Sequence, residues 1–222
     1  MNWFTSNWQH VLELTRDHLF LSVPAILVSM LIAVPIGLLA HRRPRIGGPL
    51  LGAATLLYAI PALPLLIIIP VILGIPLRSQ ATMIVALSVY GVALLVRTAA
   101  DAFASVDRHV RDAAIAIGNS PRSVFWRVDL PLATPVLLSG MRVITVSTIG
   151  LVTIGALIGI PSLGSLLTDG FQRGITAKVT TGVVATVVLA LLLDAVLLLI
   201  GRLLTPWTRT QRRRLLTEEV RA

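Results

Sequence analysis

Cysteine is absent, lysine occurs once, and charge of either sign is scarce: charged residues make up 13% of the chain's 222 residues, about half the share of a soluble domain. Without cysteine, disulfides and thiolate-based metal or redox chemistry are excluded. The single lysine, Lys178, precedes Val179-Thr180 and follows no glycine loop, so the chain lacks a phosphate-cradling Walker loop. His10, His18, His41 and His109 form no His-Glu-x-x-His pair and read as solvated or interfacial residues at membrane edges and in loops. Gly47-Gly48 follows no strand and reads as a loop break. No nucleophile, base and orienting group can be assembled, and no metal site or bound cofactor is expected. Enzymatic function is therefore not expected, and the chain either moves something or supports something.

What is present is apolar sequence. Hydrophobic residues account for 55% of the chain and the mean hydropathy is +0.88, which predicts an all-α polytopic membrane protein with about five transmembrane helices. Residues 1–18 mix Trp3, Phe4, Trp8, Val11, Leu12 and Leu14 with polar neighbours and lack the basic start and cleavage site of a signal peptide, which predicts an interfacial helix anchored by tryptophan. Residues 19–40 carry no charge and can cross a core of about 30 Å. A second span, about 50–73, contains Pro61, Pro64 and Pro70 and is expected to be kinked or partly unwound. A third covers 81–96, short at its polar end unless the turn residues or 97–100 extend it by a turn, and a fourth about 132–158, with Gly140, Gly150 and Gly155 suited to close packing. Residues 160–167 read as a short re-entrant or interfacial piece, and 179–201 as the fifth span before a basic tail, 202–222.

The net charge of +9 raises nucleic acid as a partner, but the arginines are spread over loops rather than gathered on one polar domain, and topology accounts for them. Fourteen fall on one side: Arg42, Arg43 and Arg45, then Arg97, Arg108, Arg111, Arg122 and Arg127, then six from Arg202 to Arg221. Only Arg16, Arg78, Arg173 and Lys178 fall on the other. The positive-inside rule then predicts a cytoplasmic loop between the third and fourth spans, a cytoplasmic C-terminus, and an N-terminus outside the cell membrane.

That loop, about 105–131, holds the stretch around which the chain is organised. Asp112, Ala113 and Ala114 open a short helix, and Gly118 stands where a left-handed cap is cheapest. Asn119 follows, and Ser120 then serves as an N-cap with Pro121 at the first position of a second short helix. Val124, Phe125 and Val128 recur at helical spacing until Leu130-Pro131, which is expected to end the run.

At these residues the chain resembles the permease subunits of binding-protein-dependent ABC importers. Their pattern is Glu-Ala-Ala, three residues, Gly, nine residues, Ile, one residue, Leu-Pro. Asp112, Ala113, Ala114, Gly118, Val128, Leu130 and Pro131 fall on it without a gap, with Asp112 standing for Glu and Val128 for Ile. The resemblance implies a type I importer permease fold whose loop forms coupling helices seated on a cytoplasmic ABC ATPase dimer. ATP and Mg would then be bound by that partner, with Asp112, Ala113, Ala114, Gly118, Asn119, Ser120, Leu130 and Pro131 forming the coupling surface.

Ile60-Pro61-Ala62-Leu63, Val96-Arg97, Ile149-Gly150, Ala156-Leu157-Ile158-Gly159 and Leu163-Gly164 resemble the branch that carries osmoprotectants such as glycine betaine, carnitine, choline and proline. Aromatic cages hold quaternary ammonium groups, yet aromatics are 5% of the chain and only Phe20, Tyr58 and Tyr90 belong clearly to spans. Selection is accordingly expected from a separate extracytoplasmic binding protein, and a second permease, homologue or copy, is expected to complete the path. The alternatives are an amino-acid importer permease and an ATP-independent channel or carrier; the lack of an internal repeat and the coupling motif stand against the latter.

Two further expectations concern the spans. Pro61 and Pro64 free backbone groups that membrane depth tolerates only beside protein or a wet cavity, so Tyr58, Pro61, Ala62 and Pro64 are candidates for the translocation path. Arg142 and Asp194 lie at matching depths, about 15 and 12 Å from the same end at 1.5 Å per residue. A structural ion pair is the favoured arrangement, with snorkelling to the interface or contact between Asp194 and a cationic substrate as alternatives.

Overall fold

The computed structural model describes residues 2–207, and among them every regular element is helical. Nine α-helices follow in order: α1 Asn2–Arg42, α2 Pro44–Ala59, α3 Ala62–Leu73, α4 Gln80–Ala104, α5 Arg108–Ala116, α6 Pro121–Val124, α7 Leu130–Val152, α8 Gly164–Gln172 and α9 Thr176–Leu204. A π-helical turn, Phe125–Asp129, joins α6 to α7, and a 3-10 turn, Thr153–Ile158, continues α7. Among the described residues, four stretches are long and apolar enough to cross a membrane, or five if α2 and α3 count as one bent span. The greater part of the tail, with Arg209, Arg212, Arg213, Arg214 and Arg221, lies outside the described residues.

The expected boundary between residues 18 and 19 does not exist in the backbone. α1 runs through it, and its one residue off helical geometry is Asn7 (φ −127°, ψ 15°). The reason is packing: Val11 and Leu14 are buried against Leu163, Leu166 and Leu189 of the chain's second half, so this turn of helix is held by protein contacts. His18, expected at a wet edge, is fully buried, and its Nε2 lies 3.0 Å from the Ile149 carbonyl on α7.

α1 and α4 form the centre of the bundle through small residues. Ser29 Oγ donates to the carbonyls of Ala25 (2.7 Å) and Ser88 (3.1 Å), and a side chain at Gly91 would overlap Ser29. Such close approach replaces the hydrophobic drive that lipid does not supply. Buried Leu21, Leu65, Leu66, Ile69, Met83 and Leu87 fill the space where α3 meets this pair. α4 is longer than the expected 81–96 because Ser79 caps it, accepting from the Thr82 N–H at 3.1 Å, and because no breaker occurs before Ser105.

The proline-rich span is broken rather than kinked. α2 and α3 meet at 109°, with Ile60 extended (φ −69°, ψ 125°) and Pro61 at φ −59°, ψ 142°. Pro61 forces its predecessor out of helical geometry, and neither Pro61 nor Pro64 can donate to the preceding turn. At the far end of α7, Gly159 (φ 83°) turns the chain into buried Ile160, Ser162 and Leu163, which lead to α8. The buried side chains of that segment pack within the bundle, while Pro161 is exposed.

Candidate functional site

The loop between α4 and α7 is a rigid knuckle built from local hydrogen bonds. Asp107 caps α5, accepting from the His109 N–H at 2.8 Å. α5 ends at Gly118, φ 88°. There the Asn119 N–H donates to the Ala114 carbonyl at 3.2 Å and the Gly118 N–H to the Ile115 carbonyl at 2.9 Å, the paired bonds of a Schellman cap. Asn119 Nδ2 adds a second donor to the Ala114 carbonyl at 3.0 Å, while its Oδ1 accepts from Ser123 Oγ at 2.9 Å. Ser120 Oγ accepts from the Ser123 N–H at 3.3 Å, with Pro121 at the first position of α6. Asn119 and Ser120 thus stitch the two helices across the glycine.

Leu130-Pro131 does not end the second helix, contrary to the sequence expectation. The Leu130 N–H reaches back five residues to the Phe125 carbonyl, and this π-helical turn accommodates the proline, which becomes an early residue of α7. The knuckle is therefore continuous with a span. On its outer surface Ile115 and Ile117 are 53% and 81% exposed and Trp126 58%, while Ala114 and Val124 are buried beneath. Asp112 and Ala113 lie on the exposed side, and Leu130 and Pro131 are half-buried at the base.

Sequence reasoning missed the residue that fixes this knuckle to the bundle. Asp129, buried in the π-turn, lies 3.4 Å from Arg42 Nη2 at the end of α1 and 3.6 Å from Arg111 Nη2 on α5. The Arg42 guanidinium also lies 5.5 Å from the centre of the Phe125 ring. A cleft of about 820 Å³ opens beside these groups, lined by His41, Arg42, Phe103, Arg108, Arg111 and Asp129. The only sequence signal was a lone aspartate between two apolar residues just before Leu130-Pro131.

Within the spans, Arg142 Nε donates to Asp194 Oδ1 at 2.6 Å and Nη2 to Oδ2 at 2.8 Å, a two-point pair joining α7 to α9. At the α2–α3 break, Tyr58, Pro61 and Pro64 are exposed and Ala62 half-exposed. The structure brings one further residue to them: the rings of Tyr58 and Tyr90 have centres 4.9 Å apart, tilted by 43°. At the opposite end of the bundle, Asp169 on α8 accepts from Arg173 Nε at 2.7 Å and from Lys178 Nζ, whose ammonium lies 5.8 Å from the Trp3 ring centre. Those two bonds, the Lys178 one foremost, hold the Asp169 carboxyl below its usual range. Among the described residues, no three His, Cys, Asp or Glu side chains gather as a metal cluster.

A helical membrane bundle with a stiff, partly apolar knuckle standing outside it has the form of a permease subunit driven from without. Residues 26–210 match the family described as binding-protein-dependent transport system inner membrane component, and the chain belongs to that family. It is a multi-pass, non-catalytic permease of the ABC importers, in which ATP hydrolysis resides in a separate subunit. The chain is 29% identical over 201 residues to the choline transport system permease protein OpuBB of Bacillus subtilis, covering 90% of this chain and 91% of that one. It is 32% identical over 215 residues to the osmoprotectant import permease protein OsmW of Salmonella typhimurium, covering 93% and 97%. Among solved structures, a chain of the MetNI methionine ABC transporter in an inward-facing conformation superposes with a TM-score of 0.78 at 22% identity, over 88% of this chain and 96% of that one. That likeness establishes the type I importer permease fold.

Proposed function

We propose that this chain is the permease subunit of an ATP-driven importer for osmoprotectants of the glycine betaine, carnitine and choline class. The substrate class rests on relatives that match 90–93% of the chain and whose names carry choline, carnitine and osmoprotectant transport. The observation that carries the mechanism is the knuckle. Its backbone is fixed by the Gly118 cap, its exposed Ile115 and Ile117 are apolar surface awaiting cover, and its π-turn runs unbroken into α7. Force applied by a partner to Asp112, Ala113, Ala114, Gly118, Asn119 and Ser120 passes through Leu130 and Pro131 into a span.

In this reading the knuckle and the C-terminal tail are cytoplasmic and meet an ABC ATPase dimer, which binds the ATP and Mg. The N-terminus faces outward, where an extracytoplasmic binding protein delivers substrate. A second permease, a copy or a homologue, closes a path lined by Tyr58, Pro61, Ala62 and Pro64. The support for that lining is the 109° break, whose released backbone groups require protein or water beside them. The test is uptake of labelled choline, glycine betaine and carnitine into proteoliposomes holding the assembled importer. Uptake is expected only with ATP inside and binding protein outside; uptake without ATP, or of amino acids alone, refutes the reading.

A further inference from the structure

Two of the three aromatic side chains that the sequence places clearly within spans have come together. Tyr58 sits one residue before the end of α2 and Tyr90 in mid-α4, with ring centres 4.9 Å apart. Tyr90 is ten residues into a helix that starts at Gln80, a depth of about 15 Å at 1.5 Å per residue and so near the middle of a core of about 30 Å. The Tyr58 side is 43% exposed, which leaves ring surface uncovered.

The backbone breaks at this same place. Among the described residues, the hydrogen bonds that close the elbow run from the Ile60 N–H to Leu57 and from the Leu65 N–H to Pro61, and none reaches the carbonyls of Tyr58 and Ala59. Lipid supplies no donor, so these oxygens require a polar neighbour. No charged residue occurs from 46 to 77. A site of ring faces and carbonyl oxygens without a formal charge discriminates between cations. A primary ammonium needs several short acceptors to replace its water, whereas a trimethylammonium group has no N–H, spreads its charge over methyl groups and is attracted by ring faces.

We propose that Tyr58 and Tyr90, with the adjacent carbonyls at the α2–α3 elbow, form a weak subsite for a quaternary ammonium headgroup midway across the membrane. The subsite deepens the osmoprotectant reading and rests on it. Weak binding suits its place, since a cation held there must also leave.

The absence of native cysteine makes the test direct. Ala62→Cys in the assembled importer is labelled with three methanethiosulfonates bearing a trimethylammonium, a primary ammonium or a sulfonate, each rate divided by its rate with free thiol. The trimethylammonium reagent is expected to react roughly three- to tenfold faster than the other two, and glycine betaine to slow it. Tyr58→Phe and Tyr90→Phe keep that preference, and Tyr58→Leu with Tyr90→Leu lose it. Leu65→Cys, on a buried position, stays unreactive. Equal rates for the two cationic reagents, or a preference that survives removal of both rings, overturn the subsite. If the Ala62→Cys protein with both tyrosines intact shows the preference while wild-type protein imports no quaternary ammonium compound, the subsite stands and the substrate class falls. Betaine protection of Ala62→Cys with both tyrosines intact decides the matter if the leucine variants fail to fold.

Discussion

Asp129, in the π-turn at the base of the knuckle, lies 3.4 Å from the Arg42 guanidinium at the last turn of α1. With Arg111 on α5 at 3.6 Å, one carboxylate joins the first span, the first helix of the knuckle and the start of α7. The distances are long and both arginines are partly exposed, so the pairs contribute about 1 kcal/mol or less each. Their value is positional. Asp129→Asn is expected to leave the protein extractable and folded but to lower the ratio of substrate imported to ATP hydrolysed. A second arm uses Arg42→Gln: its effect on that ratio, combined with Asp129→Asn, falls short of the sum because both remove one contact. Full additivity, or wild-type ratios in both variants, shows that the clamp plays no part in coupling.

Gly118 is held at φ 88° by two backbone bonds, and nothing lies within 4 Å of where a side chain would project. Any penalty of substitution is therefore conformational rather than steric. Gly118→Val, β-branched in the left-handed region, costs about 1–2 kcal/mol locally, and Gly118→Asn much less. We expect the valine variant to insert normally while losing most ATPase stimulation by loaded binding protein, and the asparagine variant to retain most of it. Equal stimulation in the two variants would dismiss the cap as the determinant.

At the other end of the bundle, Asp169 offers a pH test. Its carboxyl titrates below the ordinary value of 3.8, chiefly through the Lys178 bond and then through Arg173. A depressed carboxylate stabilises the folded state at every pH above its unfolded value and loses that contribution only as pH falls through the lower folded value. The melting-temperature difference between wild type and Asp169→Asn is thus expected to stay constant from neutral pH to about 5 and to shrink only below about 4. A difference that vanishes already between pH 7 and 5 contradicts the assignment.

How much of this was legible in sequence depends on the range of the interaction responsible. The Gly118 cap, the Ser120 cap and the proline break arise from residues within a few positions of one another, so spacing alone exposes them. The bend of 109° was not readable, because proline dictates that a helix stops and not where the next one points. The continuity of α1 through residue 18 is not readable from Trp3, Trp8 and their polar neighbours, because the burial of Val11 and His18 depends on partners about 130 or more positions away. Pro131 was read as a stop because proline removes a donor from a regular ladder; a π-helical turn supplies a ladder in which that loss is accommodated. Asp129 had no local partner to announce it, and Tyr90 gains meaning only beside Tyr58.

The last prediction concerns Arg142 and Asp194, whose matching depth in sequence corresponds to a two-point contact of 2.6 and 2.8 Å between α7 and α9. α9 is little buried in the chain itself, with Val187, Leu191 and Leu192 each at least half exposed. The ion pair therefore ties that helix specifically to α7, alongside the packing of Leu189 near its middle and the Lys178–Asp169 bond near its start. An unpaired charge left in hydrocarbon is disfavoured more than a neutral side chain of similar shape. Asp194→Asn and Arg142→Gln, taken singly, are expected to lower the yield of monodisperse protein after detergent extraction several-fold. The double variant is expected to recover much of that loss, since no lone charge remains. Choline import separates a second role for Asp194. If the carboxylate served a cationic substrate directly, Asp194→Asn would fold at wild-type yield and lose choline uptake more than uptake of zwitterionic betaine. The geometry predicts the opposite: reduced yield, with the two substrates affected alike in the protein that does fold. Additive losses of yield in the double variant would show that the contact contributes nothing to holding α9 against α7.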